Sequence, residues 1–341
     1  MLLVSTTLTH ECPGIIGDAL LSVLPFVDAC IVIDTAGSSQ TMGVASQVCG
    51  SKLVTSSFPW VNDFAAARNF SLREAERIGA DWAITLDTDE RIDLRGLDLR
   101  SYLEASQRDV HGMEHAGKTY SKIRVIRLPA KAQWEMPTHE AYSVENSSLL
   151  PDAVFSELPK SPEQLRVKIQ RDIEILTALT QRGAENQRAW YYLGASHHDL
   201  GEYRKAIDAF LTCGKLRDWP EERSRAAYRA SECFYSLGEY DACLALASVS
   251  LVLFAGMAEA AWMAGRACDK LGRSQDAYAW ALMAESLGFF RGAGRYLRRG
   301  GFSTPTALWE GPYDLMRSCA PTNEQRHVAL LDYQQALEAR R

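Results

Sequence analysis

The sequence predicts a two-domain chain: an α/β domain built on a mostly parallel sheet, followed by an all-α domain of helical repeats. Three observations predict it. Short apolar runs alternate with helical patterns through residues 1–158. Near residue 160 the pattern changes: Pro151, Pro159 and Pro162 punctuate a boundary, and Ala-rich helical segments replace the strand-like runs. Leu-Gly pairs then recur at Leu200-Gly201, Leu237-Gly238 and Leu271-Gly272, spacings of 37 and 34 residues. With 341 residues, both halves (1–158 and 159–341) can bury a core of their own.

Each element of the first half has a local cause. Leu2–Thr7 reads as a strand that gives way to a polar turn around His10, Glu11, Pro13 and Gly14, and a helical run covers Ile15–Leu24. The apolar run Ala29–Ile33 breaks at Asp34-Thr35-Ala36-Gly37-Ser38-Ser39, residues suited to a turn. Lys52–Thr55 forms a third strand, Phe58–Phe64 a loop, and Ala65–Ile78 a helix. A fourth strand from Asp81 to Leu86 runs into Asp87-Thr88-Asp89-Glu90, and another apolar strand spans Ile123–Leu128. Strands and helices in alternation predict a doubly wound sheet, with the functional loops at the carboxyl ends of the strands.

The fourth strand carries the strongest chemical signal, because three carboxylates fall within four residues at its end. In an extended segment Asp87 and Asp89 point the same way and can share one hard divalent cation, which in turn grips a diphosphate. A solvated turn is the plainer reading of the same residues. A second constellation, Trp134-Glu135-Met136-Pro137-Thr138-His139-Glu140, follows the Ile123–Leu128 strand. An imidazole beside two carboxylates is chemically suited to Mn²⁺, and less so to Mg²⁺, which prefers oxygen.

Three motifs in order, Val32-Ile33-Asp34-Thr35 with Gly37-Ser38, Phe58-Pro59-Trp60-Val61-Asn62-Asp63-Phe64-Ala65-Ala66-Ala67-Arg68-Asn69, and Leu86-Asp87-Thr88-Asp89-Glu90, resemble the family 2 glycosyltransferases of GT-A fold. The resemblance covers about the first 158 residues and is closest to the subgroup that carries helical repeats after a Rossmann-like catalytic domain. It implies metal-dependent, inverting transfer from a nucleotide-diphosphate sugar, with UDP the expected nucleotide and Mn²⁺ or Mg²⁺ the metal. Thr6, Asp34, Arg68 and Asp87 would contact the donor, and Asp87, Asp89 and His139 would hold the metal-diphosphate. Glu140, adjoining His139, is favoured as the base that deprotonates the acceptor; Glu135 and Glu90 are the other candidates. Plainer roles stay open: a turn-capping Asp34, an Arg68 paired with Asp63 or Glu74, and a His139 that satisfies a backbone group. Trp60 and Phe64 read as core or lid packing. One departure stands out: where the family has a charged Lys-Asn-Glu-Glu type loop, this chain has Thr9-His10-Glu11.

The Leu-Gly spacing of the second half is close to the period of tetratricopeptide repeats, about 34 residues, whose small residues let paired helices approach closely. Trp190-Tyr191-Tyr192-Leu193-Gly194, Ala206 and Phe210 fit that pattern. Such arrays offer a groove to a peptide or protein partner, or dimerise. The acceptor, a protein, a glycan or a modified nucleic-acid base, is not legible. A catalytically silent GT-A-fold scaffold acting through its repeats is the reading from a different class, and the altered first loop is what favours it.

Charge divides with the domains. Residues 1–158 hold 13 Lys and Arg against 21 Asp and Glu, net −8; the remainder holds 24 against 22, net +2. The acidic half is the half expected to bind metal. Arg291, Arg295, Arg298 and Arg299 cluster in sequence and could meet an anionic acceptor, but no nucleic-acid motif accompanies them. The eight cysteines lack a Cys-x-x-Cys pair and read as reduced, buried thiols of a cytoplasmic protein. Neither a signal peptide nor a membrane span is expected.

Overall fold

A computed structural model describes residues 1–117, 120–183, 186–216, 219–288 and 310–339. The chain divides into two compact units, Met1–Ser161 and Pro162–Arg341. Among the described residues, no helix is long and apolar enough to cross a membrane. The arginine cluster at 291–299 lies outside the described residues.

The first unit is built on an eight-stranded sheet in the order β3-β2-β1-β4-β7-β6-β10-β5. The strands are β1 (Leu3–Thr9), β2 (Ala29–Asp34), β3 (Leu53–Ser57), β4 (Trp82–Thr85), β5 (Glu90–Asp93), β6 (Val110–His115), β7 (Ser121–Arg127) and β10 (Ser147–Glu157). A separate ribbon pairs β8 (Trp134–Glu135) with β9 (Ala141–Tyr142). β3, β2, β1 and β4 run parallel, as the alternation of strands and helices requires, and β6 is parallel to β10. β7 is antiparallel to both β4 and β6, and β5 is antiparallel to β10. The sheet is thus mostly parallel, with antiparallel strands confined to its second half.

α1 (Pro13–Val23) and α2 (Ser39–Cys49) bury Ile16, Leu20, Val23 and Ala45 with Leu3, Val32 and Ile84 in one apolar cluster. α3 (Phe64–Arg77) places Leu72 and Ala75 in a second cluster with Val4, Ile31, Ile33 and Ala83. Successive β-strand residues point to opposite faces, so each central strand feeds both clusters: Leu3 one, Val4 the other. α4 (Leu99–Ala105) completes the unit, with Asp98 as its N-cap.

The second unit is helical throughout its described residues: α5 (Pro162–Arg182), α6 (Gln187–Asp199), α7 (Tyr203–Lys215), α8 (Pro220–Ser236), α9 (Tyr240–Leu253), α10 (Ala258–Lys270), α11 (Ser274–Leu287), α12 (Glu310–Cys319) and α13 (Asn323–Ala339). Each helix packs on the next, and α6, α8, α10 and α12 also touch in turn, which is the layering of a helical repeat. The Leu-Gly pairs terminate α6, α8 and α10. Gly201 adopts φ 74°, and its N–H donates to the His198 carbonyl while that of Glu202 donates to His197, a Schellman closure. Gly238 and Gly272 repeat the geometry. The helices of a pair then meet at another glycine: a Cβ on Gly194 would stand 2.6 Å from the Phe210 ring.

Candidate functional site

The site forms where β4 ends. Trp82, Ala83 and Ile84 are buried, and the chain leaves the sheet at Leu86, whose N–H donates to the Thr6 carbonyl at 3.0 Å. It does not stay extended. The Glu90 N–H donates to the Asp87 carbonyl at 3.0 Å, closing a tight turn over Thr88 and Asp89. Asp87 and Asp89 are therefore not side by side on one strand face, and the expectation that they share one cation by strand alternation is corrected.

Asp87 is gripped by two guanidiniums: Oδ1 accepts from Arg68 at 2.8 Å and Oδ2 from Arg124 at 3.2 Å. Burial pushes its carboxyl up, but the charges of Arg68, Arg124 and Lys122 outweigh burial and hold it well below the usual carboxylate range. Arg68 comes from α3, whose first turn is fixed by Asp63 accepting from the Ala66 N–H. Its Nε donates to Glu140 Oε1 at 3.0 Å, and the guanidinium lies 5.3 Å from the Trp134 ring centroid. Burial lowers the Arg68 pKa, and the carboxylates of Asp87 and Glu140 more than reverse this. The plainer pairing of Arg68 with Asp63 or Glu74 does not form, since Asp63 caps the helix and Glu74 binds Arg77.

Glu90, fully buried, opens β5 and turns inward. It accepts from the Asp87 N–H at 3.2 Å and from Lys122 at 2.9 Å, and it pairs with Arg124. It is a structural anchor, not an accessible base. Lys122 also meets Glu157 at 2.5 Å, and Glu157 accepts from the Tyr120 hydroxyl.

Asp89 stands apart, a quarter exposed at its side chain, with Oδ2 at 2.5 Å from Lys160 Nζ. The second wall comes from the β8–β9 ribbon, clasped to α3 at two points. Asn69 donates its amide to the Trp134 carbonyl at 2.9 Å and accepts from the Trp134 N–H at 2.8 Å, while the Phe64 N–H donates to the Pro137 carbonyl. Between the two strands of the ribbon, Met136 (φ 74°) and His139 (φ 53°) take left-handed backbone, a conformation costly for residues with side chains and concentrated at functional sites.

The structure thus brings together Arg68, Asp87 and Glu140, all named by the sequence, and places Asp89 on the same turn. Asp34 ends β2, and its Oδ1 accepts from the N–H groups of Ala36 and Gly37 at 2.9 Å each, so the turn-capping role is realised with one oxygen. Thr6 is buried in the middle of β1. Glu135 is exposed on β8, in register with Ala141. His139 is half-buried. Among the described residues, no three His, Cys, Asp or Glu side chains form a ready-made metal cage.

Sequence reasoning missed Lys122, Arg124, Glu157 and Lys160, and quoted Asn69 in a motif without giving it a role. A signal existed for two of them: Lys122 and Arg124 alternate with Ile123 and Val125, which puts both cations on one face of β7.

A metal fits this donor set in one way. Mg²⁺ and Mn²⁺ at phosphate sites are commonly held by one or two carboxylates, with substrate oxygens and water completing the shell. Asp89 is the carboxylate available for that role, and the Lys160 ammonium stands in for a cation there. Four cations (Arg68, Lys122, Arg124, Lys160) face five carboxylates (Asp87, Asp89, Glu90, Glu140, Glu157), a formal deficit of one positive charge.

No protein-family model matches the chain, and no curated protein matches it. Among solved structures it is similar to residues 1–349 of TarS from S. aureus, a glycosyltransferase, at 14% identity over 71% of this chain and 89% of that one, TM-score 0.43. It is similar to MamA (residue 41 to the end) from Desulfovibrio magneticus RS-1 at 16% identity over 52% and 93%, TM-score 0.38. PcrH from Pseudomonas aeruginosa matches at 18% identity over 39% and 90%, TM-score 0.33. MamA and PcrH are tetratricopeptide-repeat proteins. Likenesses this loose carry no activity or partner across.

Proposed function

We propose that the protein is a metal-dependent, inverting glycosyltransferase that moves a sugar from a nucleotide-diphosphate sugar, with UDP the favoured nucleotide, to a hydroxyl or other nucleophile on a macromolecule. The observation that carries this reading is the convergence of Arg68, Asp87, Arg124 and Glu140, from α3, the end of β4, β7 and the β8–β9 ribbon, beside Asp89, which a lysine and no arginine holds. Carboxyl ends of strands are where open α/β sheets bind ligands.

Each side chain has work suited to its geometry. Asp87 and Glu140 hold Arg68 rigid through NH2 and Nε. Its NH1, with no hydrogen bond to another described residue, is the donor offered to the diphosphate. Arg124, two per cent exposed, adds a fixed positive charge behind Asp87 that needs no reorganisation as negative charge grows on the leaving group. Asp34 retains Oδ2 for a ribose hydroxyl or a base N–H. A divalent ion at Asp89 would supply Lewis-acid neutralisation of the departing diphosphate. Glu140 Oε1 is anchored by Arg68, and Oε2 is the oxygen that would take the acceptor proton.

A second reading is favoured by one observation: the network closes on itself, with both Asp87 oxygens held by arginines and Asp89 held by Lys160. A fold that kept its buried charges for stability after losing transfer would have the same pairs and would act through its repeats. Thermal stabilisation by UDP-, GDP- and dTDP-sugars, with and without Mn²⁺, separates the two, because ligands that bind the native state raise Tm by mass action. The transferase reading expects a rise with one nucleotide class that needs Mn²⁺ and is lost in Asp89→Asn. No rise with any nucleotide supports the scaffold.

A further inference from the structure

We infer that Lys160 is a built-in counter-cation for Asp89, which keeps a bare metal ion off the site and gives way only when metal arrives with a diphosphate. The inference rests on the donor-site reading above and adds the control of that site.

Lys160 is placed, not stray. It lies three residues after the end of β10 and two before α5 begins. The Leu158 N–H donates to the Asp89 carbonyl at 2.8 Å, which fastens the chain two residues before Lys160 to the very turn that carries Asp89. From that tether Nζ reaches Asp89 Oδ2 at 2.5 Å.

The pair differs from its neighbours in exposure. Asp89 and Asp87 are equally exposed, each 26% at its side chain, but Lys160 is 37% exposed, whereas the arginines that hold Asp87, Arg68 and Arg124, are 11% and 2%. A half-exposed ion pair is weak and exchangeable, while a buried one is fixed. Asp89 is therefore the carboxylate of the turn that a lysine holds and no buried arginine does, so its partner can leave. A metal ion alone must displace the ammonium and gains a single protein carboxylate. A metal ion carrying a diphosphate brings its own oxygen ligands, and the displaced ammonium remains beside the new negative charge, where it is itself stabilised. The same lysine thus opposes metal alone and favours metal with donor.

The test follows Mn²⁺ binding by loss of the free-ion EPR signal, with and without UDP, in wild type, Lys160→Met, Lys160→Arg and Lys160→Met/Asp89→Asn. Removing the charge strengthens capture of Mn²⁺ alone roughly five- to tenfold, the scale expected for one unit charge beside a partly screened carboxylate. The gain vanishes when UDP is present, is absent in Lys160→Arg, and is lost in the double variant. Equal Mn²⁺ affinity in wild type and Lys160→Met, in proteins that both bind Mn²⁺ with UDP, overturns the inference and leaves the donor site standing. Failure of every variant to bind Mn²⁺ even with UDP overturns the donor site and this inference together.

Discussion

Both units bury acidic side chains, but they treat them differently. In the helical unit Asp172 meets Lys168 and Arg171 on its own helix, Glu222 meets Gln187 and Arg188, and Glu285 meets Tyr313. In the α/β unit fully buried Glu90 and partly buried Asp87, Glu140 and Glu157 are joined through Arg68, Lys122 and Arg124 into one network at the end of β4. Burial of charge alone does not mark a site. Convergence of charge from distant parts of the chain onto one strand end is the feature that separates the two units, because it demands long-range packing that a lone stabilising pair does not need.

The sharpest way to break this comparison is Arg124→Leu. It leaves fully buried Glu90 short of a counter-charge, so the urea midpoint should report a loss of about 3–5 kcal/mol. A loss under 1 kcal/mol would mean that the network does not hold the α/β unit.

Next is acid sensitivity through His111, buried in β6 between the hydroxyls of Ser148 (2.9 Å) and Ser106 (3.0 Å). Burial, aided by Arg127 and Arg108, pushes its pKa down to about 4. The unfolded chain then binds more protons between pH ~6.5 and ~4, so stability is full above this window and falls as pH drops through it. At about 1.4 kcal/mol per pKa unit the fall is ~3 kcal/mol, and it should disappear in His111→Gln, as read from urea midpoints across pH.

In the helical unit the counterpart is Gly194→Ala. A new Cβ would overlap the buried Phe210 ring, which costs about 1–3 kcal/mol. Tm should drop while the response to nucleotide stays unchanged, since the network does not involve α6. The smallest effect is expected from Asn69→Ala, which removes two hydrogen bonds to Trp134 for about 1–2 kcal/mol. Unlike Gly194→Ala, it should also weaken the nucleotide response, because it loosens the ribbon that carries Glu140.

Much of the architecture was legible because its signals are local. Apolar runs ending in Asp34 and Asp87 marked β2 and β4, and glycines, which take φ near 74° at least cost, ended α6 and α8. Arg68, Asp87, Asp89 and Glu140 were named from short motifs. The remainder depended on contacts that no window contains. The turn at Asp87–Glu90 read as extended because Asp and Thr serve strand ends and turns equally, and only the burial of Glu90 against Arg124, 34 residues on, decides between them. Lys122 and Arg124 alternate as a solvated strand face would, and the partner of Asp89 lies 71 residues away.

The central claim, that the β4-end network handles a nucleotide-sugar, is tested most directly by nucleoside-diphosphate release. Wild type and Arg68→Met would be incubated with the nucleotide-sugar that stabilises the protein and with Mn²⁺. The account predicts Mn²⁺-dependent release by wild type and at least a hundredfold loss in Arg68→Met, the scale of removing one electrostatic contact to a developing charge. Equal release by both proteins would contradict it.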